Sequence, residues 1–346
     1  MRNLLSYNLS RRELLKLGAA GLACLFLSPL ERVFAQVSGD DQVYGRILEP
    51  SVEAYDQPSF TGNLVRVYWQ DLVVPITDVT VGDYEPHYNR VWYRLENGGY
   101  VHSGVVQPTR ILPQEPDPAI PASGRLGEIS VPFTDSYWKP TTEASLAYRL
   151  YYETTHWITR MVTNDAGETW YEILDDKWKF SYYVQTAHVR ILPLDELTPL
   201  APEVPMEAKR IEIHRDKQLV IAYQNEQPVW MTRAATGARF SDGDHTTPEG
   251  HYISYHKRPF RHMAAGDLAA PNSYDLPGVP WVSYFTPQGI SIHGTYWHND
   301  FGKPRSHGCI NCSCQAARWI YRWTLPVVPS QETEIIEDFG TAIDII

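Results

Sequence analysis

Cysteine is scarce in this chain: Cys24, Cys309, Cys312 and Cys314 are the four in 346 residues. The last three crowd together and have no distant partner, which excludes a disulfide-stapled scaffold. Basic charge is also in deficit. Thirty Lys and Arg face 41 Asp and Glu, for a formal net charge of −11. That balance argues against a nucleic-acid partner, whose phosphates need a basic face. Long apolar runs are missing as well. The run Leu17–Leu30 is too short and too rich in Gly and Ala for a membrane span. Hydrophobic content is nonetheless 43%, enough for ordinary globular cores, so general disorder is excluded.

The N-terminus is read first. Ser10-Arg11-Arg12-Glu13-Leu14-Leu15-Lys16 precedes the apolar run, and Val33-Phe34-Ala35 offers a small-residue cleavage site before Gln36. A charged start, a short apolar stretch and such a site describe an export signal over residues 1–35. The paired arginines resemble a twin-arginine signal, with Leu14 where that family usually has Phe. The expected location is the cell envelope, periplasm or extracellular wall, with an uncleaved membrane anchor as the alternative. The 1–35 stretch carries five basic and two acidic residues, so its loss leaves a charge of −14. An exported chain with an odd number of remaining cysteines points to a free, reactive thiol.

Two related units follow. From 42 to 113 the pattern is short strands and turns, with Val65–Trp69 and Val91–Leu95 alternating in the strand manner and a hairpin turn at Glu96-Asn97-Gly98-Gly99. From 125 to 193 it recurs. Gly45-Arg46-Ile47-Leu48-Glu49-Pro50 is echoed by Gly127-Glu128-Ile129-Ser130-Val131-Pro132, Trp92-Tyr93 by Trp170-Tyr171, and Arg110-Ile111-Leu112-Pro113 by Arg190-Ile191-Leu192-Pro193. The spacing predicts a tandem repeat of about eighty residues, each copy a small all-β unit. The copies loosely resemble bacterial SH3-like barrel modules. They hold Trp69, Trp92, Trp138, Trp157, Trp170 and Trp178, six of the eleven tryptophans. These serve either as core and rim filler or as platforms for wall glycan and peptide. Proline-rich linkers, Pro113–Pro121 and Pro193–Pro205, close each copy.

From 207 to 346 the composition changes. Arg210–His214 and Gln218–Tyr223 read as a strand pair, and Trp281–Phe285 and Gly289–Ile292 as strands leading to His293. Pro259–Pro280 reads as a long loop of the kind that forms a lid. Gln315–Trp323 is the clearest helical signal, with Asn311 or Ser313 as its cap.

The chemistry gathers in Ile292-His293-Gly294-Thr295 and Ser306-His307-Gly308-Cys309-Ile310-Asn311. A cysteine acts as a nucleophile in its thiolate form. The following helix is expected to lower its pKa, and His293 and His307 are candidate bases. Gly308 lets backbone N–H groups converge as an oxyanion hole. Ser306 and Thr295 can orient the imidazoles, and Asp300 is the one acid nearby. The carbonyl of Gly294 is an alternative partner for His293. This is the chemistry of acyl transfer through a thioester. Zinc on His293, His298, His307 and Cys309 is the rival reading, but the spacing matches no usual zinc pattern. A Cys309/Cys312 redox pair lacks the βαβ setting it needs. No metal and no cofactor is therefore expected.

The His293-Gly294 pair followed by Ser306-His307-Gly308-Cys309-Ile310-Asn311 resembles the signature of the YkuD-type L,D-transpeptidase catalytic domain, and the resemblance covers about 207–346. It implies a mostly β chain: two SH3-like modules, then a β-sandwich catalytic domain with a short helix after the cysteine. It implies Cys309 as nucleophile and His293 as general base, with Ser306, His307, Gly308 and Gly294 shaping the site and the oxyanion hole. Asn311, Arg305, Tyr296 and Trp297 are the substrate-binding candidates. Asn311 stands where many relatives have Arg. The implied reaction takes peptidoglycan stem peptides as donor and acceptor, releases D-alanine and leaves a 3→3 cross-link, with carbapenems as covalent inhibitors. A carboxypeptidase using water, or a non-catalytic adaptor binding the wall through its β modules, are the alternatives. An acidic surface suits an acceptor that carries amines.

Overall fold

The computed structural model describes residues 42–96, 98–266 and 273–346. The export signal lies outside the described residues. Val43–Ile346 packs as one unit.

Two seven-stranded antiparallel sheets come first, one built from strands between Tyr44–Ile47 and Val106–Thr109, the other from strands between Arg125–Ile129 and Val189–Ile191. Numbered within each sheet by chain order, the strands run 3-2-6-5-4-1-7 in both, so the repeat read from the sequence is a repeat of topology. The sheets are not closed barrels: strands 3 and 7 stand at opposite ends of the order. The tryptophans divide. Trp92 and Trp170, at matching positions, and Trp157 are buried, whereas Trp69, Trp138 and Trp178 are exposed.

The C-terminal part is two five-stranded sheets around one core. In the first, Gln227–Arg233, Leu219–Gln224, Lys209–His214, Ala342–Ile345 and Gly250–Ile253 lie side by side. The chain's last strand thus lies inside the sheet, between Gly250–Ile253 and Lys209–His214, running parallel to the latter. In the second, the order is Ile310–Cys312, Ser291–Gly294, Tyr274–Tyr284, His256–Ala265, Ile335–Ile336. Ile211, Ile213, Val220 and Ile343 from one sheet meet Trp281, Ile292 and Ile310 from the other. The helix Cys314–Trp323 contributes Ala317 and Ile320 to the same core. Its N-terminus is capped by Ser313, whose Oγ accepts from Ala316 N–H. The described parts of the expected loop, Pro259–Ala265 and Tyr274–Pro280, are strand instead: they fall in the antiparallel pair His256–Ala265 and Tyr274–Tyr284, with Phe260 opposite Pro280. Prolines broke the alternation in the sequence, but backbone pairing continues around them.

The second repeat is clasped to this hairpin by buried charge. His262 lies 2.5 Å from Asp175 and 2.5 Å from Asp275. Asp176 pairs with Arg261 at 2.7 Å and accepts from His262 N–H. Burial alone lowers the His262 pKa. The hydrogen bonds and charges of Asp175 and Asp275 outweigh burial and leave it raised. The stability this adds is complete below the unfolded imidazole's value of about 6.5, and is lost as pH rises through the raised folded value. His262→Gln is expected to cost about 3 kcal/mol at about pH 6 and clearly less at about pH 9, read by urea unfolding of both proteins.

Candidate active site

The site is made by strand register. Ile292 pairs with Ile310 and His293 with Asn311 in a parallel ladder. Side chains alternate along a strand, so Ile292, Ile310 and Cys312 enter the core while Ser291, His293 and Asn311 share the other face. The same register sets Cys309 beside Ser291, and its Sγ is 3.7 Å from Ser291 Oγ and 3.9 Å from Gly289 O.

His293 is buried, and its Nδ1 lies 3.0 Å from the carbonyl of Gly294. A carbonyl only accepts, so Nδ1 carries the proton and Nε2 is left as the acceptor for the thiol. No carboxylate is required for this orientation. Burial pushes the Cys309 thiol up, but the hydrogen bond and charge of His293, with help from Ser291, hold its pKa below the ordinary value. The helix begins at Cys314, one residue before the expected Gln315, and strand Ile310–Cys312 separates it from Cys309, so the group that lowers the thiol's pKa is His293 rather than a helix end. Gly294 is required by space: a Cβ there would sit 2.7 Å from Pro280 and 3.0 Å from Cys314 Cα. Cys312 and Cys314 are buried, and burial pushes the Cys312 thiol up to about 12 and the Cys314 thiol well above its ordinary value, as suits packing residues.

The turn carrying the cysteine is braced from within. Gly308 has φ 116, a left-handed conformation open to glycine. Ser306 Oγ donates to Cys309 O at 2.5 Å and accepts from Gly308 N–H at 3.1 Å. Ser306 therefore shapes the backbone rather than orienting an imidazole, and the Gly308 N–H expected at an oxyanion hole is engaged by it. Thr295 Oγ1 has no hydrogen-bond partner among the described residues, so it does not orient an imidazole either. Thr247, which the sequence reading missed, is buried and spans the turn from behind. It donates to Gly308 O and accepts from Gly237 N–H, both at 2.8 Å. Ser291 was also missed, since a serine in a strand carries no motif.

The remaining candidates are distributed unevenly. Asn311 is buried, with its side-chain amide 2.8 Å from His298 Nε2. His298 Nδ1 accepts from Asp300 N–H, and burial first, then Arg305, drives its pKa down to about 3. The neutral ring thus carries its proton on Nε2, so the Asn311 oxygen is the atom that belongs opposite it. Asn311 serves this internal pair through one end of its amide, and the other end is buried without a hydrogen bond among the described residues. Arg305 is taken up by Asp300 at 3.2 Å and Glu49 at 2.7 Å. Asp300 also pairs with Lys303, and it does not orient His293. Tyr296 is buried, its hydroxyl donating to Pro277 O at 3.1 Å. Of these four, Asn311 lies opposite His293 in the ladder, and Trp297 sets its half-buried ring 5.7 Å from that of His293. His307 is exposed and stacks on Phe240, with ring centroids 4.5 Å apart.

The loop between the two motifs is held by the first repeat. Arg46, buried, donates to Tyr296 O at 2.6 Å. Asn299 donates through Nδ2 to Ser103 O and Val106 O, each at 3.1 Å, and its N–H reaches Gly104 O. Asn299→Ala should cost about 1–2 kcal/mol in urea unfolding and speed amide exchange across 295–305, because it takes the side-chain donor from Val106 O and from Ser103 O, which keeps only the Val106 N–H.

A search of curated proteins finds no match to the chain. Among solved structures it is similar to a mutant L,D-transpeptidase of Enterococcus faecium, at 18% identity and TM-score 0.31, over 41% of this chain and 50% of that one. The chain thus spans about half the length of that relative. An L,D-transpeptidase from Mycobacterium smegmatis is matched at 16% identity and TM-score 0.32, over 78% of this chain and 100% of that one. One from Xylanimonas cellulosilytica is matched at 24% identity and TM-score 0.28, over 46% and 72%. Residues 208–335 match the family model YkuD, the L,D-transpeptidase catalytic domain.

Proposed function

We propose that the protein is an exported cysteine L,D-transpeptidase acting on peptidoglycan stem peptides. The observation that carries this reading is the Cys309–His293 pair: a thiol with a lowered pKa, facing a histidine whose tautomer is fixed by the Gly294 carbonyl. The match of residues 208–335 to the L,D-transpeptidase catalytic domain supports it.

In the proposed reaction the Cys309 proton passes to His293 Nε2, and the thiolate attacks the carbonyl carbon of the third stem residue. Collapse of the tetrahedral intermediate breaks the C–N bond, and His293 returns the proton to the leaving D-alanine amine. The thioester is then opened by a side-chain amine of a second stem, which gives the 3→3 amide and restores the thiol. Trp297 is placed to border the donor. The exposed Trp69, Trp138 and Trp178 are the candidate wall contacts of the repeats.

Incubation with a disaccharide-tetrapeptide should give a cross-linked dimer, with an acyl-enzyme detectable by intact mass. Cys309→Ala should give neither, and His293→Ala should slow acylation by about 10²–10⁴-fold. Carbapenem exposure should add one adduct to the wild type and none to Cys309→Ala. Product lacking D-alanine but never dimeric would replace the transpeptidase with a carboxypeptidase. Full turnover by Cys309→Ala would refute the mechanism. For the repeats, Cys309→Ala protein should pellet with sacculi, and the triple change of Trp69, Trp138 and Trp178 to Ala should release it; unchanged pelleting would make the repeats spacers.

A further inference from the structure

His307 has two neighbours that the motif does not supply. Asp242, His245 and His307 each present one ligand atom, and these atoms lie within 4.8 Å of one another. His245 Nε2 is 3.3 Å from Asp242 Oδ1, and the His245 and His307 rings are 4.7 Å apart. His245 Nε2 is nevertheless shielded from solvent and lacks a hydrogen bond, since its approach to Asp242 has the wrong geometry for one. A buried imidazole nitrogen that faces a carboxylate without a hydrogen bond calls for an explanation.

The three residues come from two backbone segments that are already fixed. Asp242 lies in the turn of a short hairpin, Arg239–Phe240 with Gly243–Asp244. Arg239 donates to Asp244 at 2.9 Å, and Asp244 also accepts from Thr246, so Asp244 is committed to the hairpin and Asp242 is not. His245 N–H donates to Ala238 O at 3.0 Å, and Ala238 N–H donates to Ser306 O at 2.9 Å, which ties the hairpin base to the cysteine turn. Phe240 stacks on His307 and sets the ring's plane.

We infer that Asp242, His245 and His307 form a binding site for a divalent transition metal of the zinc class, joining the hairpin to the turn that bears Cys309. Two imidazoles and one carboxylate are a donor set suited to Zn²⁺, with a coordination position left open. Zinc bonds of about 2.0–2.1 Å put tetrahedral ligand atoms about 3.4 Å apart, a closure within reach of exposed Asp242 and His307 side chains. The sequence reading weighed zinc on His293, His298, His307 and Cys309. The structure instead separates His307 from that group, since His293 and His298 are each committed elsewhere. A metal on His307 fixes one wall of the site two residues from the nucleophile, and it slows acylation of Cys309. That last effect rests on the transpeptidase reading, whereas the binding does not.

The test uses untagged full-length protein and Zn²⁺ titrated by calorimetry. The wild type should bind one equivalent, and Asp242→Asn and His245→Gln should each weaken it about tenfold or more. Cys309→Ala should bind as the wild type does, and the Co²⁺-loaded wild type should show no thiolate-to-metal charge-transfer band. No saturable binding by the wild type, or equal binding by Asp242→Asn and His245→Gln, would overturn the site, leaving only an ion pair beside an aromatic stack. Loss of binding in Cys309→Ala would move the metal to the thiol and also overturn it. Carbapenem acylation of the wild type should slow with Zn²⁺ and recover with chelator, and in His245→Gln it should be indifferent to both. Acylation of the wild type unchanged by bound Zn²⁺ would remove the regulatory role. Failure of acylation without Zn²⁺ would count against the transpeptidase reading alone, since calorimetry decides the site by itself.

Discussion

The parallel pairing of Ser291–Gly294 with Ile310–Cys312 is the constraint on which the site depends. It is short, yet it performs three tasks at once. It buries Ile292 and Ile310 in the core shared with the helix, brings Cys309 against Ser291, and sets His293 level with Asn311. Side chains in a strand alternate faces, so a shift of one residue would exchange His293 for Ile292. The core therefore enforces the register that the chemistry needs. Gly294 and Gly308 permit the close approach and the reversed backbone conformation that this geometry demands.

Around that ladder the protein relies on backbone groups where a catalytic carboxylate would be looked for. The Gly294 carbonyl fixes the His293 tautomer, and Ser306 and Thr247 hold the cysteine turn by its own carbonyls and N–H groups. The one nearby acid, Asp300, is instead part of an ion cluster with Lys303 and Arg305 that steadies the loop between the motifs. The first repeat completes that clamp through Arg46, Glu49 and Ser103, while the second holds the long hairpin through Asp175 and Asp176. The repeats are thus packed onto the elements that frame the site.

What could be read along the chain was local. The His-Gly and Ser-His-Gly-Cys stretches, the helix ending at Trp323 and the echoes between Gly45 and Gly127 each sit within a few neighbouring residues. Elements that depended on distant partners were not legible. The pair His256–Ala265 and Tyr274–Tyr284 looked like a loop because its prolines and glycines interrupt alternation, and only pairing restores it. The tail showed β-type composition, but nothing in it announced that Ala342–Ile345 would lie inside a sheet beside Lys209–His214. Thr295, Ser306 and Asn311 were assigned polar tasks from their chemistry, and the fold gave two of them others and left Thr295 Oγ1 without a partner.

The sequence by itself determined the candidate group and its immediate company: thiols with no distant disulfide partner, a glycine just before Cys309, and a histidine-glycine pair upstream. These follow from residue type and short spacing, which the covalent chain fixes. The tertiary structure decided which histidine lies against the Cys309 thiol, which polar side chains are spent inside the fold, and that His245 and Asp242 lie beside His307. Those outcomes come from strand register and side-chain burial. Both are set by contacts between residues far apart in the chain, and no local pattern encodes them.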